Sequence, residues 1–183
     1  MFLEKPYHIE EAFTSQFCDN IINLGEQKKL EEAKIKDGNQ VNRQSKVSWI
    51  NEKQEEITKA INKVNRESNW NFEISDYEPL QYTIYGEKDH YDWHIDSHAK
   101  PYDNGLIRKL SFTICLNEDY EGGEFELSLP NPKPEKHKFF KFNKVFKKGT
   151  LIVFPSFTWH KVNPVTKGFR KVIVGWILGR PFV

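Results

Sequence analysis

From about residue 70 onward the chain breaks into short β-rich runs at near-regular spacing, and this restricts the fold more than any other feature. The runs are Gln81 to Tyr85, Tyr91 to Ile95, Lys109 to Leu116, Glu124 to Leu129, Lys138 to Phe146, Thr150 to Phe154, Trp159 to Val162 and Arg170 to Leu178. Turn signals separate them: Tyr85-Gly86, Asp103-Asn104-Gly105, Gly122-Gly123, Pro130-Asn131-Pro132, Lys148-Gly149 and Thr166-Lys167-Gly168. About eight such strands predict a sandwich or jelly roll. The aromatic content, 14 Phe, 7 Tyr and 5 Trp, suits a β-type core.

The first part reads differently. Phe13, Phe17, Ile21, Ile22 and Leu24 give an amphipathic helix over Glu10 to Glu26. Ile57, Ala60, Ile61 and Val64 repeat the pattern over 52–66, with Asn51 as the expected N-cap. Val47 to Ile50 reads as a short strand between them. The expected organisation is one domain over residues 1–183. A helical and strand support spans about 1–75, and a β core about 76–180.

Global properties narrow the function by exclusion. There are 27 Lys+Arg against 26 Asp+Glu, a net charge of +1, which gives no field for nucleic acid or an anionic membrane. No apolar run approaches 18 residues, and Met1-Phe2-Leu3-Glu4-Lys5-Pro6 is no signal peptide. Cys18 and Cys115 lack metal-type spacing. A cytoplasmic protein with reduced thiols is the expectation.

Chemistry concentrates in two places. His94-Ile95-Asp96 puts an imidazole and a carboxylate on one face of a strand, with Ile95 on the other. His160 is expected to face them from an opposed strand. Two imidazoles and one carboxylate are the ligand set of a mononuclear iron(II) site with open coordination positions. Arg170, ten residues beyond His160, points to a carboxylate co-substrate, because its guanidinium stays charged and binds in a bidentate fork.

Taken together, these segments resemble a family. They are Tyr85-x8-His94-x-Asp96, Arg108-Lys109-Leu110-Ser111-Phe112-Thr113, Tyr120-Glu121-Gly122-Gly123-Glu124, and Val153-Phe154-Pro155-Ser156-Phe157-x-x-His160-x-Val162-x-Pro164-Val165-x-x-Gly168-x-Arg170. Over about residues 78 to 178 the chain resembles the iron(II)- and 2-oxoglutarate-dependent dioxygenases, in particular the prolyl 4-hydroxylase-like group with its small bacterial and phage members.

The resemblance implies a mainly β protein with flanking helices, built on a double-stranded β-helix (a cupin-like jelly roll). It implies iron(II) on His94, Asp96 and His160, with 2-oxoglutarate and O2 as co-substrates and room for ascorbate. Arg170 would hold the distal carboxylate of 2-oxoglutarate. Tyr85 would face the co-substrate, Thr113 and Cys115 would line the same pocket, and Trp176 would form a wall. Cys115 departs from the family, in which many relatives carry Tyr or Gln there. The implied reaction is hydroxylation of an unactivated C–H, with a prolyl residue of a peptide or protein as the leading substrate. A small molecule, such as a free amino acid, is the alternative. A non-enzymatic cupin-like binding module is a third reading, which the full ligand set and Arg170 disfavour. Nucleic-acid demethylation is not expected, since no second Arg follows Arg170 before Arg180.

Several residues have plainer readings. His98 is expected at the rim, because a fourth protein ligand would block oxygen. His90 and His137 are expected in solvent, and Trp93 and Trp159 on the side opposite the ligands. Gly122-Gly123 reads as a tight hairpin. Lys133 to Lys148, with seven Lys and interleaved Phe, reads as a strand with a solvated face rather than a single-strand nucleic-acid site. The mouth of the site is expected at Glu87 to His90, Ser97 to Leu106 and Lys36 to Trp49. Substrate identity and oligomeric state are not encoded in any of these patterns.

Overall fold

The computed structural model describes residues 5–33, 42–98, 100–129, 138–142 and 145–182, with backbone only at 129 and 138–141. In chain order the elements are β1 (His8–Glu11), α1 (Ser15–Glu26), β2 (Glu31–Glu32), β3 (Arg43–Gln44), β4 (Lys46–Ile50) and α2 (Gln54–Glu67). There follow β5 (Asp76–Tyr77), β6 (Leu80–Tyr85), β7 (His90–His94), β8 (Ile107–Cys115), β9 (Tyr120–Gly122) and β10 (Phe125–Leu129). Last come β11 (Lys138–Lys141), β12 (Thr150–Pro155), β13 (Trp159–Val162), β14 (Val165–Gly168) and β15 (Arg170–Gly179).

Two sheets carry the fold. The major sheet has the order β1-β12-β8-β15-β6-β4-β2, with β5 on β15, and the minor sheet runs β11-β10-β13-β7-β3. β9 and β14 form a separate pair. All the pairings are antiparallel. This is the mainly β, double-stranded β-helix architecture expected from the strand count and the resemblance.

The major sheet is buried on both faces, so its strands read as continuous apolar runs rather than alternating ones. On β12, Leu151 and Val153 face the layer built by Phe17, Ile21, Ile57, Ile61 and Val64 of the two helices. Their neighbours Ile152 and Phe154 face the space between the sheets, against Phe125, Leu127 and Val162 of the minor sheet. β8 divides in the same way, with Leu110, Phe112 and Ile114 toward the helices. Burying each such side chain contributes about 1.5–3 kcal/mol. The minor sheet is covered on one face only. β13 therefore alternates, with His160 and Val162 buried and Trp159 half-exposed.

Three local expectations differ from the structure. The first helix does not begin at Glu10. Residues 8–11 pair with β12, and the helix starts after Thr14, whose hydroxyl accepts from the Phe17 N–H. The second helix is not capped by Asn51. Lys53 occupies the cap in the left-handed region (φ 68°) with no side-chain cap bond, while Glu55 and Glu56 supply first-turn charge that suits the helix dipole. Gly122-Gly123 is not a hairpin. β9 pairs with β14 and β10 with β11 and β13, so the two glycines carry the chain from one sheet to another.

The N-terminal third is woven into the core. β1 borders β12, and β4 borders β6. Gly149 locks this junction: its carbonyl accepts from the N–H groups of Ala12 and Phe13, each at 3.1 Å, and its own N–H donates to the Cys115 carbonyl. Its φ is +88°, and a Cβ there would overlap the Phe13 carbonyl oxygen. Gly149→Ala is expected to cost about 2 kcal/mol or more, from a forbidden backbone conformation added to overpacking. A lowered urea midpoint with an unchanged m-value checks this.

Among the described residues no helix is long and apolar enough to cross a membrane. Within the Lys133 to Lys148 tract, residues 133–137, with His137, and 143–144 lie outside the described residues, and Lys138–Lys141 forms β11. At its described end Phe142 and Phe146 pack inward, while Lys147 and Lys148 pair with Glu11 and Asp19.

Candidate metal centre

The three expected ligands converge. One ligand atom from each of His94, Asp96 and His160 lies within 4.8 Å of the others, the one such group of three found among the described residues. Asp96 bridges the two imidazoles, with its Oδ1 3.8 Å from His94 Nε2 and its Oδ2 3.4 Å from His160 Nε2. In each histidine Nδ1 sits near a carbonyl two residues back: His94 with Asp92 at 2.7 Å, and His160 with Thr158 at 2.9 Å. A Nδ1–H that donates to a carbonyl leaves Nε2 as the free lone pair, the tautomer a metal requires.

The route to this arrangement differs from the sequence expectation in two respects. His160 does not come from an opposed strand. β13 lies beside β7, and His160 is the direct ladder partner of His94. Asp96 is not on the strand at all. β7 ends at His94, and Asp96 is fastened in the following loop by its N–H, which donates to the Ser156 carbonyl at 3.0 Å. Ile95 nevertheless points outward, as expected.

The electrostatics favour a cation. Burial works against charge on Asp96, but His160, His94, a hydrogen bond from Ser111 and Arg108 more than offset it, and its carboxyl stays below the usual range. Burial, then the neighbouring His160, pushes His94 down to about 3. At neutral pH these two ligands are therefore already deprotonated, the form that binds a metal.

A small cavity, of about 40 Å³, opens beside the three ligands. It is lined by Tyr85, Thr113, Arg170 and Trp176 among the expected residues. Cys115 does not line it. This thiol is packed with Phe125, Ile152 and Val172, and burial pushes it up to about 11. The strand alternation was read correctly, but Cys115 is too short to reach past that layer.

Arg170 is only 2% exposed. It pairs in the ladder with Tyr85, whose ring lies 5.4 Å from the guanidinium, and its charge acts on the buried Tyr120 hydroxyl. Gly123 makes room for its stem, since a Cβ there would sit 2.9 Å from Arg170 Cδ. Three buried polar atoms of this cavity have no partner among the described residues: Arg170 Nε, Thr113 Oγ1 and Trp176 Nε1. Buried donors are almost always paired, so a convergent set of orphans marks where an acceptor belongs. A metal-bound dicarboxylate fits these donors and ligands.

The sequence reading missed Arg43, Gln81, Glu78 and Arg108. Arg43 Nη2 donates to Gln81 Oε1 at 2.7 Å, its guanidinium stands over the Tyr91 ring, and both Arg43 and Gln81 line the cavity. Arg108 makes a two-pronged contact with Glu78, each prong 2.6 Å, and lies 3.8 Å over the Trp176 ring. An arginine opening a buried strand was the available signal for Arg108. Arg43 sits in a polar stretch that offered none. His98 is exposed against Tyr102, outside the ligand group, and Arg180 forms a surface pair with Glu73.

The chain is similar to several known proteins. Thirty-eight per cent of residues over 100 are identical in a PKHD-type hydroxylase of Picosynechococcus sp., covering 54% of this chain and 41% of that one. A PKHD-type hydroxylase of Hyphomonas neptunium is 38% identical over 96 residues, 50% of this chain and 39% of its own. The chain thus matches about two fifths of the length of these relatives. Among solved structures, a Pseudomonas putida prolyl-4-hydroxylase superposes with a TM-score of 0.73 at 18% identity, covering 97% of this chain and 95% of that one. A viral collagen prolyl hydroxylase from Paramecium Bursaria Chlorella virus-1, in complex with 2OG, gives 0.69 at 21% identity, covering 96% and 97%. At such identities the two structures speak for the fold. The sequence model of the 2OG-Fe(II) oxygenase superfamily matches residues 80–178, a span that contains all three metal ligands, Arg170 and every core strand between them, and it is to this superfamily that the chain belongs.

Proposed function

We propose that this protein is an iron(II)- and 2-oxoglutarate-dependent dioxygenase that hydroxylates an unactivated C–H, with a prolyl residue of an extended peptide as its leading substrate. The observation that carries the reading is Arg170, a buried cation with an unpaired Nε in the same cavity as the His94, Asp96 and His160 atoms. When bound, iron(II) with 2-oxoglutarate supplies the coupling of O2 reduction and decarboxylation to C–H oxidation.

The chain's own part is placement and exclusion. His94, Asp96 and His160 would hold the metal, and three protein ligands would leave positions open for exchangeable ones. Arg170 offers a fixed bidentate fork to the distal carboxylate, with Thr113 Oγ1 and Trp176 Nε1 as further donors. Phe125, Phe154 and Val162 close the floor and keep water away.

The preference for a peptide rests on the mouth. Arg108, stacked on Trp176 and gripped by Glu78, is largely buried, and Tyr102 of the Ser97 to Leu106 segment donates to the same Glu78 at 2.8 Å, which ties that segment to the cavity wall. A proline-containing chain is pre-extended and docks at low entropic cost against such a fixed segment. Part of the Lys36 to Trp49 segment lies outside the described residues. A Trichoplax adhaerens prolyl hydroxylase in complex with a hypoxia inducible factor peptide superposes at a TM-score of 0.65 and 22% identity. Both cysteines are free and buried, which accords with a reducing, cytoplasmic setting.

The test is succinate formation with iron(II) and 2-oxoglutarate across a peptide panel that includes proline-rich sequences, read with mass spectrometry. One added oxygen on proline, matched to succinate, is the expected result. Turnover of free amino acids or other small metabolites with every peptide inert would replace the peptide reading with the small-molecule one.

A further inference from the structure

On β8, between Leu110 and Phe112, stands a hydroxyl. Ser111 is completely buried, and its ladder partners are Phe154 on β12 and Trp176 on β15. A hydroxyl among aromatics costs free energy unless it is hydrogen-bonded. Ser111 donates to Ser156 Oγ at 3.0 Å, and the Asp96 carboxylate, whose acidity it strengthens, is its other polar neighbour. It has one proton to give. In the structure the proton goes to Ser156 Oγ; turned to the carboxylate, it leaves Ser156 free to donate to Ser111 in exchange.

Ser156 is also completely buried, in the turn between β12 and β13. Its carbonyl accepts from the N–H groups of Asp96 and Ser97, each at 3.0 Å, and its N–H donates to the Lys109 carbonyl. Two residues on, the Thr158 carbonyl meets His160 Nδ1 at 2.9 Å, and the Thr158 N–H closes the turn onto Pro155 at 2.9 Å. One short turn thus touches Asp96 through its backbone, reaches its carboxylate through Ser111, and orients His160.

We propose that the Ser111–Ser156 hydroxyl pair and the Ser156 to Thr158 turn form a positioning device that sets Asp96 and His160 in their metal-binding array before any metal arrives. Ser111 and Ser156 are positioning residues and contribute no ligand. The need for them follows from where Asp96 lies. It sits past the end of β7, where no ladder fixes its backbone, and its carboxylate can rotate about two bonds. His94 needs no such help, because β7 and the Asp92 carbonyl already hold it. Metal sites depend on such outer partners, whose loss costs about ten- to a hundredfold in metal affinity.

This inference rests on the metal reading above. The experiment is a Co(II) titration of the full chain, followed by visible absorption and calorimetry, for the parent, Ser111→Ala, Ser156→Ala, the double variant and His160→Ala. Urea denaturation of each metal-free protein is measured beside it. Both single variants are expected to bind Co(II) about tenfold more weakly. The double variant is expected to be little weaker than either, because the two hydroxyls act in series. A merely structural role would lower metal-free stability and leave the Co(II) dissociation constant in place. The proposal is overturned if a folded single variant binds Co(II) within twofold of the parent, or if the two losses add fully. Should one alanine variant fail to fold, the other decides. Unchanged Co(II) affinity in His160→Ala would instead remove the metal reading, so the two failures are told apart.

Discussion

His160→Ala is expected to bind iron(II) more than about a hundredfold more weakly and to lose all 2-oxoglutarate turnover, while keeping its β fold. The loss should exceed that for removing an outer-shell partner, which alone reaches about a hundredfold. The reason lies in the ladder. His160 and His94 face each other across β13 and β7, and Asp96 closes the group from the loop. Without His160 two ligands remain, and Asp96 loses the strongest of the neighbours that hold its carboxyl below the usual range. The fold should survive, because β13 keeps its ladder to β10 and Val162 keeps its place in the core. Isothermal titration with Mn(II) or Co(II), with circular dichroism as the control for folding, checks both halves. If the variant binds metal as tightly as the parent, the ligand assignment is wrong.

Arg170→Leu should separate co-substrate binding from metal binding. The substitution keeps much of the apolar stem that packs against Gly123, but removes a buried guanidinium whose Nε lacks a partner among the described residues. Losing a charge-assisted bidentate contact costs a few kcal/mol, on the order of a hundredfold in affinity. The expected result is a 2-oxoglutarate dissociation constant raised by about that factor with metal affinity nearly unchanged. Thr113 and Trp176 still offer donors, but neither carries charge. An unchanged 2-oxoglutarate requirement would move the clamp to another cation, and Arg43, which also lines the cavity, is the first to examine.

Much of this centre was legible because its parts are local or periodic. His94 and Asp96 are two residues apart. Arg170 follows His160 by ten. Alternation on the later strands correctly brought Thr113 and Trp176 to the cavity. The helices announced themselves by their apolar faces, and the strands by turn residues at near-regular intervals. What alternation could not judge was depth: it put Cys115 on the right side of β8, yet its thiol ends inside the packed layer.

The amino-acid sequence by itself determined the strand-rich class, the three candidate ligands and the cation in their neighbourhood, since each depends on residue type and short spacing. Tertiary structure alone decided who stands beside whom. That β13 lies next to β7, that β1 and β4 extend the major sheet, and that Gly123 clears space for Arg170 are consequences of pairings between segments tens of residues apart. The contacts of Arg108 with Glu78 and of Arg43 with Gln81 are of the same kind, at separations of 30 and 38 residues. No local propensity encodes such contacts. They form because burying both faces of one sheet leaves a single arrangement in which the polar side chains between the sheets can reach one another.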